Sequence, residues 1–278
     1  MSDSLAALIH AVDQADSSAS LLEAVQNLAA AGLVGALPTL IAALSYNNPG
    51  AAVAAVDGLI KIGAPAVPGI LEQLDAHNYT ARAWAIRALA GIGDARGLTT
   101  LLGAATADFA MSVRRAAAKG LGSLNWQQFD DDELEIAQAE AMDALLFVCD
   151  DEEWVVRYAA VVGLQNLALA IWPLYPDWRA PILARFEHMA EQDPVWAVRS
   201  RVWMAQQQLQ TALGRDGLKL DRPALHSAEP VSEILNHWRL TLEKVYQRKS
   251  KERPLPEGDP RRFRDLAASL AAPQPPQS

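Results

Sequence analysis

The chain has 278 residues, 51% of them hydrophobic and 6% aromatic, with a formal net charge of −9. That much apolar content can bury a large core, and the acidic balance argues against nucleic acid as a partner, because phosphate binding needs a basic face. The one cysteine, Cys149, excludes an internal disulfide and fits a reducing, cytoplasmic location.

In chain order, Met1 to Ala19 lacks the basic start and apolar run of a signal peptide. No apolar stretch reads as a membrane span, so no membrane insertion is expected. Ala and Leu dominate and β-branched runs are scarce, which favours helix over sheet. Gly32, Gly63 and Gly93 recur at spacings of 31 and 30 residues. Each closes a helical phrase, where glycine enters the left-handed region without a Cβ clash. Each is followed by a similar second helix: Ala36–Ile41, Ala66–Leu71 and Gly97–Leu102. Pro38 and Pro68 fall at helix starts, where a missing N–H costs little.

The phrase is clearest as Thr80-Ala-Arg-Ala-Trp-Ala-Ile-Arg-Ala-Leu-Ala-Gly-Ile-Gly93. It returns at Ser112–Leu124, at Val155–Leu164 and, more loosely, at Ala197–Trp203. One such helix cannot bury its apolar face alone, whereas stacked neighbours bury it together. The fold class that follows is all-α, a right-handed α-solenoid of HEAT-like repeats. Later units are longer, with Arg114, Arg157 and Arg199 separated by 43 and 42 residues. Longer helices at Asp132–Val148 and Trp178–Glu191 fill the difference.

Residues 1–213 are thus expected to form the solenoid and 214–230 a loop. Residues 231–272 read as C-terminal helices that cap the stack or meet a partner, and 273–278 as a disordered tail. Within them, Val231–Lys249 is amphipathic, with Ile234, Leu235, Trp238, Leu242 and Val245 on one side.

A helix turns about 100° per residue, so Ala81, Ala85, Ala88 and Ile92 share a core stripe. The opposite stripe carries Tyr79, Ala83 and Arg87. Superposing the repeats on their Val-Arg step gives the equivalents Met111, Arg115 and Lys119; Trp154, Tyr158 and Val162; and Trp196, Ser200 and Met204. Asp57 takes the place of Arg87 one repeat earlier, and Trp84 lies between the core and this face. The surface is aromatic and basic on an acidic protein. The shoulder arginines Arg82, Arg114, Arg157 and Arg199 are read as structural partners of acids in neighbouring units.

The phrases His77–Asp94 and Ser112–Trp126 resemble the phycobilisome lyase family of HEAT-like proteins, most closely the E subunit of the E/F-type phycocyanobilin lyases. The resemblance covers most of residues 20–210. It implies an enzyme active only with an F-type partner subunit, which binds phycocyanobilin as substrate and attaches it by a thioether to a cysteine of the apo-phycocyanin α subunit. No permanently bound cofactor is implied. A bilin suits the stripe: its conjugated rings stack on Tyr and Trp, its propionates pair with Arg, and its pyrrole N–H groups seek a carboxylate such as Asp57. The candidate bilin-binding set is Asp57, Tyr79, Trp84, Arg87, Arg115, Lys119, Trp154, Tyr158 and Trp196.

No catalytic residue is assigned. Cys149 is flanked by Asp150–Glu153, a poor setting for a thiolate nucleophile. The five histidines have no metal-ligand spacing, so no metal is expected. His77, beside Tyr79, could donate a proton to the bilin but reads more readily as a solvated loop residue. Two other readings remain open: a HEAT-repeat scaffold without transfer activity, and a lyase-isomerase of a related phycobiliprotein.

Overall fold

The computed structural model describes residues 2–74 and 78–213. His77 and residues 214–278, with the loop, helices and tail expected there, lie outside the described residues. The described part is all helix, without a strand. It comprises α1 (Ser2–Asp13), α2 (Ser18–Ala31), α3 (Leu37–Ala43), α4 (Pro49–Ile62), α5 (Val67–Glu72), α6 (Tyr79–Ile92), α7 (Leu98–Ala107), α8 (Met111–Leu121), α9 (Asp131–Val148), α10 (Trp154–Ile171), α11 (Arg179–Gln192) and α12 (Trp196–Leu213). The described residues divide into two compact units, one ending at Ala170 and one beginning at Ile171.

In the first unit α2, α4, α6 and α8 pack in succession, and α3, α5, α7 and α9 lie against them as a second layer. The glycine register explains the turns between layers. Gly32 and Gly93 end α2 and α6 in the left-handed region, at φ 62° and 69°. Single 3-10 turns follow, and Pro38 and Pro68 sit in the first turns of α3 and α5. The longer helices expected late in the chain are α9 and α11, of 18 and 14 residues.

Stacking is close because a small residue follows Asp57, Arg87, Lys119 and Val162, namely Gly58, Ala88, Gly120 and Gly163. A Cβ on Gly58 of α4 would lie 2.7 Å from Ala29 Cβ of α2, and one on Gly120 of α8 would lie 2.6 Å from Ala90 Cβ of α6. At Gly163 of α10 an added Cβ would strike the Ala118 carbonyl of α8. Backbones approach to near contact there, as only Gly or Ala permits. The core is correspondingly small-grained: Ala51, Ala55, Ala88, Ala117 and Ala118 are buried beside Leu28, Leu59, Leu89 and Leu121. Ala81, Ala85 and Ala88 lie in the core as expected, whereas Ile92 is half-buried and Ile86 and Leu89 take the deeper places.

Polar ties cross between repeats. Asn48 accepts from the Ala51 N–H to cap α4 and donates to the Ser18 carbonyl at 2.8 Å. Arg82 meets Asp108 at 2.6 Å, and Arg114 meets Asp151 at 2.7 Å while donating to the carbonyls of Asp108 and Phe109. Both arginines have the structural role read from the sequence. Arg157 donates to the carbonyls of Asp151 and Glu152, and Arg199 to that of Ala190.

One expectation is corrected. Helix α10, with 18 residues and a mean hydropathy of 1.4, is long and apolar enough to cross a membrane. Yet 61% of it is buried within the protein, where Val156, Ala160, Val161, Leu164 and Leu167 serve as core. Packing, not lipid, accounts for its apolarity.

In the second unit α11 and α12 pack together around Ile182, Phe186, Val198 and Val202. Arg179 donates to the Trp172 carbonyl at 2.6 Å and lies 5.2 Å over the Trp172 ring.

Candidate functional site

The stacking of α4, α6 and α8 brings their stripe residues side by side. Asp57 is exposed on α4, and Arg87, Arg115 and Lys119 are half-buried on α6 and α8. Arg115 and Lys119 are one helical turn apart. The four groups act on one another. Burial lowers the pKa of Arg87, and the charge of Asp57 offsets part of that. Although Asp57 is exposed, partial desolvation of its carboxyl raises its pKa, against the pull of Arg87. Arg115 is pushed down to about 10, by burial and then by the charge of Arg87. Lys119 is pushed down to about 8, by burial and then by Arg87 and Arg115.

The Arg87 guanidinium lies 5.4 Å over the ring of Trp84, which is half-buried one turn earlier. Its Nη1 is buried and has no hydrogen-bond partner. Tyr79, at the start of α6, is 52% exposed and meets Phe109 edge-on with centroids 6.2 Å apart. Phe109 is 72% exposed and also carries Arg82 over its ring at 5.2 Å. Sequence reasoning missed Phe109. It stands in the connection between α7 and α8, outside the helical period that located the other residues.

Trp154 and Tyr158 are half-buried on α10 of the same unit. In the second unit Trp196 is half-buried with Arg199 stacked 4.5 Å over its ring. There the stripe departs from expectation: Ser200 and Met204 are buried, so the open face read from the first three repeats does not continue down α12. Cys149 is buried at the end of α9, which removes its thiol from contact with a large substrate.

A recess of about 320 Å³ opens elsewhere, between α6 and α7, lined by Leu74, Arg82, Ile86, Gly103, Ala104 and Asp108. It contains none of the predicted site residues, and its polar wall is the Arg82–Asp108 pair that ties the repeats together.

The geometry is thus an aromatic and basic face on stacked helices. It can hold a flat, conjugated, anionic molecule, and among the described residues of this face no nucleophile or acid–base pair is placed for cleaving one.

The HEAT-repeat family pattern matches residues 67–165. The phycocyanobilin lyase subunit beta of Pseudanabaena tenuis is 59% identical, over 97% of this chain and 98% of its own. The phycocyanin alpha phycocyanobilin lyase CpcF of Synechocystis sp. is 52% identical, over 70% of this chain and 89% of its own. Among solved structures, a chain in the complex of CpcE and CpcF of phycocyanin lyase from Nostoc sp. is 48% identical with a TM-score of 0.58, covering 63% of this chain and 99% of that one.

These relatives are beta or F-type subunits, which overturns the expected resemblance to the E subunit. The reason lies in the phrase that carried the expectation. Its Ala81, Ala85 and Ala88 are buried by stacking, and its Arg82 is an inter-repeat tie. Such residues mark the repeat fold and do not distinguish one lyase subunit from its partner.

Proposed function

The chain belongs to the beta-subunit family of the phycocyanobilin lyases, and from that premise we propose that it is the beta half of a heterodimeric lyase that loads phycocyanobilin onto the α subunit of apo-phycocyanin. The observation that carries this reading is 59% identity to a lyase beta subunit across nearly the whole of both chains. The partner is then an alpha, E-type subunit, and not the F-type subunit expected from the sequence. The likeness to a chain from a CpcE–CpcF complex supports this pairing.

The bilin lies on the face formed by Asp57, Trp84, Arg87, Arg115 and Lys119, with Tyr79 at its edge. Trp154 and Tyr158 belong to the same repeat pattern, and Trp196 to its last member. The reaction is an addition. The thiol sulfur of the acceptor cysteine bonds to the exocyclic carbon of the ring-A ethylidene group. The neighbouring ring carbon takes a proton, and no oxidant is consumed. The protein's share is orientation: one extended conformer, propionates anchored and ring A presented. Such positioning removes several kcal/mol from a barrier. Neither subunit needs a nucleophile of its own.

Co-expression with an alpha-type subunit, phycocyanobilin and apo-α-phycocyanin tests the reading, scored by zinc-induced fluorescence of the acceptor. A covalent adduct that requires both subunits is expected. A stable heterodimer that yields no adduct would instead favour the scaffold reading. A blue-shifted product spectrum would indicate a lyase-isomerase.

A further inference from the structure

The basic part of this face is a costly arrangement. Arg87, Arg115 and Lys119 are held half-buried within one another's field, and each makes the next harder to keep charged. Like charges gathered out of water are stabilised by an arriving anion. Arg87 adds an independent sign, because its buried Nη1–H has no acceptor. An orphaned donor on a cation is unfavourable until a ligand oxygen meets it. Asp57 cannot serve fully as that anion. It is exposed, on the preceding helix, and its charge offsets only part of the cost of burying Arg87.

Polarity changes along the same face. Tyr79 lies two helical turns before Arg87, about 12 Å along the axis. Met111 lies one turn before Arg115. Tyr79 and Met111 are 52% and 46% exposed, and Phe109 joins them edge-on to Tyr79. A half-buried basic zone therefore gives way to an exposed apolar rim.

We propose that this face selects a ligand with two free carboxylates, gripped by Arg87, Arg115 and Lys119, and leaves a terminal apolar ring at the Tyr79–Phe109–Met111 rim, open to an incoming thiol. The inference rests on the bilin reading and adds to it. A bilin's carboxylates stand on its two central rings and its ethylidene group on a terminal ring, so gripping the centre frees the reacting end.

The test compares phycocyanobilin with its dimethyl ester, each titrated into the assembled heterodimer and followed by induced circular dichroism in the visible. Two charge-assisted contacts predict that the diacid binds roughly 100-fold more tightly than the ester. In the double variant Arg115→Met, Lys119→Met, which keeps the apolar stems, that preference should fall below about tenfold. Equal, tight binding of acid and ester by the unaltered heterodimer would overturn the clamp while leaving the bilin reading intact. Binding of neither would overturn the bilin reading itself. Phe109→Ser should keep the acid-over-ester preference and slow adduct formation; an unaltered rate would overturn the rim assignment.

Discussion

Lys119 holds its proton less firmly than a solvated lysine, at a pKa near 8 rather than 10.5. Below pH 8 both folded and unfolded chains carry that proton, and the fold bears the full cost of a buried cation. Between about 8 and 10.5 the folded state releases the proton first, so the unfolded state binds more protons and stability rises with pH. Lys119→Met should therefore raise Tm at pH 7 by roughly 2–4 °C, and the gain should shrink by pH 9.5. An equal gain at both pH values would place the effect in packing instead of charge. Cys149 offers a complementary residue-scale expectation. Buried at the end of α9, it should tolerate Cys149→Ser with transfer activity retained, measured as the initial rate of adduct formation. The stripe itself was legible from the sequence because a 100° turn per residue assigns faces without further information. Phe109 was not, because a connection has no period, and Ser200 and Met204 were misread because burial depends on what packs against α12.

Between helices the Val-Arg step holds the stack in register. Arg114 and Asp151 are each about one-tenth exposed, and the same guanidinium serves two carbonyls. Arg114→Ala leaves a carboxylate and two acceptors without their donor, which should cost roughly 2–4 kcal/mol in denaturant unfolding. Arg96→Ala should cost less, because its side chain is 51% exposed, yet more than a surface pair would, because its partner Asp94 is buried and loses its cation. Gly120→Ala tests the close approach of α8 to α6. The added methyl would lie 2.6 Å from Ala90 Cβ, and overpacking of this kind costs about 1–3 kcal/mol. Because the displaced helix carries Arg115 and Lys119, bilin affinity should fall with stability. The glycine spacing disclosed the repeat boundaries in advance. It did not disclose which glycines are pressed against a neighbour, since that is a property of pairs of helices.

For the whole molecule, association is the property that the lyase reading most depends on. A partner that binds only the folded chain stabilises it by about 2.7 kcal/mol at one hundred times its Kd. The Tm of this chain should therefore rise with the concentration of an alpha-type subunit, and a concentration-independent Tm would count against a heterodimer. By itself the sequence determined the all-helical repeat architecture, because residues that must bury a face every third or fourth position, punctuated by glycine at fixed spacing, have one economical solution. It also placed most of the aromatic and basic stripe. It did not determine which lyase subunit the chain is, because the recurrent phrase encodes stacking that a repeat fold requires whatever its partner. Nor did it foresee that α10, apolar enough for lipid, spends that apolarity on the protein core. Only the tertiary structure set Arg87, Arg115 and Lys119 within one another's field, since helices 30 residues apart in the chain become neighbours only where small side chains let their backbones touch.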